Sequence, residues 1–279
     1  MANIILDSLK QSLKLVTRYW YIVILLFVIQ ISYFLLLSVN LIINLGPALG
    51  AIQEVIAYAN QLNLSEQAFA ENLLTNSSAL LGSDPLLIYR NYTAVMQFVS
   101  LFILISIILF VILEGLNWVL VVHMHREKKV EKKVKTFIRA MLNFFIISIG
   151  YFILIGLIVM LQLKMLVSSP SLPSFIVIIS LIILFLLIYF MMVSYSLLYN
   201  NNIKVIMKKT FFIGAYKAYI LLPVMLFNIL LVVGASYLMF STVELELSLA
   251  LMLLSVFLFT FSYIFSRIFL VRVVHNLDN

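Results

Sequence analysis

The chain has 279 residues, of which 65% are apolar and 10% charged, with no cysteine and a formal net charge of +7. A soluble domain is nearer half apolar and a quarter charged, so a soluble enzyme, a secreted domain and a disordered tail are excluded together. The absence of cysteine also removes disulfides, thiol catalysis, iron–sulfur clusters and thiolate zinc sites.

Residues 1–18 read as an interfacial amphipathic helix. Asp7, Lys10, Lys14 and Arg18 share one face, and Leu6, Leu9, Leu13 and Val16 share the other. Six apolar runs then follow, at 19–45, 95–122, 141–163, 175–199, 218–240 and 247–274. Each is long enough for a bilayer core, which needs roughly 20 helical residues. None alternates with period two, so helices are expected rather than a barrel. The first run is too long for a signal-peptide core and has no prompt small-residue cleavage site, so it is expected to stay as an uncleaved helix. The predicted class is therefore all-α: a polytopic membrane protein of six transmembrane helices arranged as three hairpins.

Between the first two runs lies an insertion, 46–94, expected to form a small helical external cap. Ile52, Val55, Ile56, Ala59 and Leu62 trace one helical face. Ser65-Glu66-Gln67 resembles an N-cap, and Ser83-Asp84-Pro85 a helix start with proline at its first position. The insertion also carries the Asn-x-Ser/Thr triplets that begin at Asn63, Asn76 and Asn91. They are glycosylation acceptors if that side meets the transferase, and chance products of a polar loop otherwise.

The loops 123–140 and 200–217 are basic, and charge sets the orientation. Sixteen of the 18 lysines and arginines fall on one side of the six spans, leaving Arg90 and Lys164 on the other. The positive-inside rule then puts both termini in the cytoplasm, in a cell membrane. Lys10, Lys14, Arg126, Lys128, Lys129, Lys132, Lys133, Lys135, Arg139, Lys204 and Lys208 are candidate contacts to anionic lipid headgroups. No aromatic residue is interleaved in the run 125–135, so nucleic acid is not an expected partner.

Polar residues at membrane depth are the candidate site, because an unpaired charge there costs about 2.5–3.5 kcal/mol even on a lenient scale. Glu114 is the one acidic residue well inside a span, with Asn117 at i+3 and Gly115 beside it. Arg267 is the one basic residue flanked on both sides by apolar sequence. The second and sixth spans run in the same direction, and each places a histidine eight or nine residues on, at His123 and His275. An ion pair between Glu114 and Arg267 follows if the two helices are neighbours; separate snorkelling to the headgroups is the alternative. Gln30 and Asn228 fall near mid-depth, and Pro223 is expected to kink the fifth span. These three serve either helix packing or a substrate path. His123-x-His125 places two rings about 200° apart on a helix, and no nucleotide or metalloprotease motif is present. No metal or cofactor is expected.

A basic pair at i,i+4 precedes each odd-numbered span, in Ser8-Leu-Lys-Gln-Ser-Leu-Lys-Leu15, Lys135-Thr-Phe-Ile-Arg139 and Lys204-Val-Ile-Met-Lys208. Each lead-in is expected to form a short interfacial helix of its own. The arrangement resembles six-helix membrane families such as the membrane domain attached to some glycerophosphodiester phosphodiesterases. The phosphodiesterase catalytic domain has no counterpart here and the insertion 46–94 is a departure, so the resemblance implies an architecture and no activity. A conduit, or the membrane-embedded subunit of a transport or secretion complex, is the leading expectation. The alternatives are a lipid-acting enzyme using Glu114 and a scaffold that binds partners through the external insertion. Protein partners or a second copy of the chain are compatible with each.

Overall fold

A computed structural model describes residues 2–61, 86–125, 133–168, 174–200 and 202–278. The described residues are 94% helical, without strands, and six helices are long and apolar enough to cross a membrane. In lipid the backbone must satisfy its own hydrogen bonds within each segment, which is why runs rich in Ile, Val and Phe are helical here. The chain is a multi-pass membrane protein. It divides into two compact units, one of Met1–Ile31 with Val111–Asn279 and one of Ser32–Phe110.

The helices, in chain order, are α1 (Ala2–Arg18), α2 (Trp20–Asn40), α3 (Gly46–Gln61), α4 (Leu87–Leu109), α5 (Gly115–Met124) and α6 (Lys133–Ser168), followed by α7 (Ser174–Ser196), α8 (Ile203–Tyr216), α9 (Ala218–Glu244) and α10 (Leu249–Asp278). Two π-helical turns link α2 to α3 (Leu41–Leu45) and α4 to α5 (Phe110–Glu114).

In the unit Ser32–Phe110, α3 packs on α4. The described ends of the insertion extend the first two spans, so the apolar helical run continues from Trp20 to Tyr58. On the face that periodicity traces, Ile52 and Ile56 are exposed. Asn44, Ala48, Ala51 and Tyr58 are buried instead. Small residues let two helices approach closely, and large aliphatic ones gain nothing by turning away from hydrocarbon. Asn40 Nδ2 donates to the Phe102 carbonyl (3.1 Å) and to Ser106 Oγ (3.0 Å), tying the hairpin together.

In the other unit, α10 is the hub. It packs against α1, α5, α7, α8 and α9, and from Ile264 to Val274 it is buried nearly all round. Helix α9 pairs with it as a hairpin, and the α6–α7 hairpin reaches it through α7. The aromatic core Phe144, Tyr195 and Trp118 fills the space between α5, α6 and α7, with Tyr195 centred 4.5 Å from Phe144 and 5.4 Å from Trp118.

The lead-ins differ from one another. Helices α1 and α8 are separate from the spans they precede, as expected. The second is not, because Lys133–Ser168 is one continuous helix. No residue between Lys135 and Arg139 and the apolar stretch breaks the helix, so polarity alone does not end it. Helix α1 packs on its neighbour through serines. Ser8 and Ser12 are fully buried while Leu6 and Leu13 are exposed, and Asn276 Nδ2 of α10 donates to Ser8 Oγ at 2.9 Å.

Candidate functional site

Three elements bring the predicted intramembrane residues together. Gln30 lies midway along α2, Glu114 ends the π-turn before α5, and Arg267 sits in the buried half of α10. Arg267 Nη2 lies 2.5 Å from Glu114 Oε2, so the ion pair forms across the two helices. The other carboxylate oxygen accepts from Gln30 Nε2 at 3.1 Å. Gln30 Oε1 in turn accepts from Asn117 Nδ2 at 2.9 Å. Gln30 thus joins Glu114 rather than Asn228. Asn117 reaches the centre because it lies one turn after Glu114 on the same helix face.

The centre is closed. Gln30 and Asn117 are 0% exposed and Glu114 is 1% exposed. Its positive side rests on aromatic rings, with the Arg267 guanidinium 4.3 Å from the Tyr263 centroid and 5.7 Å from Trp118. A delocalised, planar cation on ring faces is less costly to bury than an ammonium. Gly115 permits the fit, since a Cβ there would stand 2.9 Å from Phe144 Cδ1. Arg267 is therefore an interior charge and not one of the flanking charges counted for orientation.

Asn228 sits apart from this chain of bonds. Its Nδ2 donates to the Ser266 carbonyl at 3.1 Å, tying α9 to α10 beside Arg267. Pro223 lies inside α9, which runs unbroken from Ala218 to Glu244. The proline removes one N–H near the helix start, where only the first turns are affected.

A second polar seam was not anticipated from the sequence. Tyr195 bonds Ser148 (2.8 Å), Tyr151 bonds Ser194 (3.2 Å), Ser194 bonds Thr210 (3.1 Å), and Tyr189 donates to the Gly214 carbonyl (2.8 Å). It joins α6, α7 and α8. Hydroxyls are abundant enough in any apolar helix that their partners emerge only from the packing. Asp278 was missed as well. It accepts from Tyr199 and pairs with Lys209 at 2.7 Å, fixing α8 to the end of α10.

Of the candidate headgroup contacts, Lys10, Lys14, Lys135, Arg139, Lys204 and Lys208 are exposed, and Lys133 begins α6. Arg126, Lys128, Lys129 and Lys132 lie outside the described residues, as do Asn63 and Asn76. Asn91 is 6% exposed, and its Nδ2 donates to Glu54 Oε2 at 3.0 Å, so the atom that a transferase would modify is enclosed in the folded hairpin. Among the described residues, no three His, Asp or Glu side chains converge as metal ligands would. No family model matches the chain, and no curated protein or solved structure shows significant similarity to it.

Proposed function

We propose that the chain is a non-catalytic multi-pass protein serving as the membrane-embedded subunit of a transport or secretion complex, with both termini cytoplasmic. The carrying observation is that Glu114 is neutralised by Arg267, hydrogen-bonded by Gln30 and only 1% exposed. A general acid or base must reach the proton it moves, directly or through one water. A self-contained aqueous conduit would leave its polar side chains facing a wet cavity, whereas Gln30, Asn117 and Glu114 bond one another. Buried ionic glue of this kind fits a rigid partner-holding helix core. The exposed basic pairs of α1, α6 and α8 fit an inner-leaflet face.

Purification from native membranes in mild detergent, with every stoichiometric companion identified by mass, tests the reading. An ATPase or secretion component at fixed stoichiometry is the expected result. A chain that runs alone or only with copies of itself overturns the subunit assignment. Orientation is checked separately. The chain has no native cysteine, so single cysteines at Ser168 and at Asn202 are background-free, and only the second should stay protected from an impermeant maleimide in intact cells.

A further inference from the structure

Beside the ion pair, and separate from its sealed interior, lies a pocket of 280 Å³ between α7, α9 and α10. Its walls are largely hydrocarbon, from Met192, Met225, Ile229, Val233 and Leu270, with Trp118 at one side. Tyr263 and Ser266 line it as well, and two further polar side chains, Asn228 and Arg267, complete its wall. Both are more than nine-tenths buried, at 8% and 5% exposed. Each carries an atom with no hydrogen-bond partner, Asn228 Oδ1 and Arg267 Nη1.

Buried polar atoms in folded proteins are paired as a rule, and each orphan costs about 1–3 kcal/mol. Here the orphans are complementary. One is an acceptor that has already spent its own amide N–H₂ on the Ser266 carbonyl, and the other is a donor. That same bond holds Asn228 against the residue preceding Arg267, and both side chains line the one pocket. A group that both accepts and donates satisfies the two at once.

We propose that this pocket binds a neutral long-chain alcohol dissolved in the bilayer, its hydroxyl oxygen accepting from Arg267 Nη1 and its O–H donating to Asn228 Oδ1. Three arguments select this chemistry. First, Glu114 already balances Arg267, so a carboxylate or phosphate would bring an uncompensated charge into an apolar pocket, and it has no proton to give Asn228. Second, Asn228 lies ten residues beyond Ala218, about 15 Å along the helix, which is half of a bilayer core roughly 30 Å thick. A zwitterionic headgroup is costly at that depth, whereas a single hydroxyl is not. Third, one water could bridge the two atoms, but the pocket has the volume of about nine. The remaining apolar space is better filled by a chain than by water, which would lose its own bonds there.

The two tryptophans make the test direct. Trp118 lines the pocket and is 2% exposed, while Trp20 is 63% exposed. In the Trp20→Phe protein, reconstituted in nanodiscs, fluorescence reports Trp118 alone. The probes are bromododecanol, its methyl ether, bromododecane and bromododecanoate. The alcohol should quench saturably, with an apparent affinity roughly tenfold above that of the ether, which accepts but cannot donate. That ratio is what one net hydrogen bond supplies. In the Trp20→Phe/Asn228→Ala protein the alcohol should lose its advantage over the ether. Equal quenching by alcohol, ether and alkane would overturn the proposal, as would tightest binding of the carboxylate or an advantage that survives at Asn228→Ala. The ligand series alone decides the matter if the Asn228 variant does not fold.

Discussion

At the scale of single residues, Arg267 shows what an interior charge requires. It is 5% exposed, paired at 2.5 Å with Glu114 and laid over Tyr263. Removing one partner of a buried pair leaves the other uncompensated, which costs about 3–5 kcal/mol, whereas replacing both with apolar side chains of similar volume can be neutral. Glu114→Gln should therefore lower the thermal midpoint in detergent sharply, and Arg267→Met should do the same. Glu114→Leu/Arg267→Met should recover most of the loss. Separate snorkelling of the two charges would instead give small and additive effects, and a double variant as poor as the sum of the singles would rule out the coupled pair. The sequence made Glu114 and Arg267 conspicuous because charges are rare in spans and must find a partner. Gln30 and Asn117 were visible as polar residues, but their places in the chain of bonds were not, since an amide can pair with almost anything that packs against it.

At the scale of helices, hydropathy locates the spans well and their ends poorly. Lipid rewards apolar length, so all six runs are found, but nothing in hydropathy stops a helix where the bilayer ends. That is why Lys133–Ser168 continues through its basic lead-in and why the first span extends past Leu45. Periodicity marks the apolar stripes of α1 and α3 but not what they face, and in a membrane such a stripe can face lipid while Ser8, Ser12, Ala48 and Ala51 face the neighbour. The π-turns carry no sequence mark at all. Close approach can be tested at two glycines. A Cβ at Gly115 would meet Phe144 at 2.9 Å, and one at Gly214 would meet Phe190 at 2.7 Å. Distance alone ranks Gly214 as the worse site for alanine. Freedom to move reverses the order, because Phe144 is fully buried against Tyr195, whereas Phe190 is only partly buried and borders a cavity of 480 Å³. Gly115→Ala should cost about 1–3 kcal/mol by overpacking, and Gly214→Ala clearly less. Equilibrium unfolding of both variants, judged against Gly150→Ala, whose Cβ would meet nothing within 4 Å, checks the ranking.

At the scale of the whole molecule, one histidine links stability to pH. His125 lies just past the second span, 4% exposed, with Nδ1 at 2.8 Å from the Val121 carbonyl. A carbonyl only accepts, so Nδ1 carries the proton and Nε2 is left as a bare lone pair without a partner. Burial, together with the nearby positive charges of Arg272 and His275, lowers its pKa from 6.5 to about 4. Between those values the unfolded chain takes up a proton that the folded chain refuses. Stability from this group is therefore complete above about pH 6.5 and declines as pH falls toward 4, by about 3 kcal/mol in total. The imidazole lies near the buried half of α10, where Arg272 also donates to Gln11 of α1 and Asn276 to Ser8. Protonation there should thus loosen the packing that α10 organises rather than fray one end. Thermal midpoints of the wild-type protein in detergent should fall steadily from about pH 7 to about pH 4.5. His125→Gln, which keeps a donor for Val121 and cannot titrate, should flatten that slope while leaving the slope of a Lys209→Gln control unchanged. A profile as steep in His125→Gln as in the wild type would place the acid sensitivity elsewhere, among carboxylates whose protonation, and not that of His125, unlocks the core.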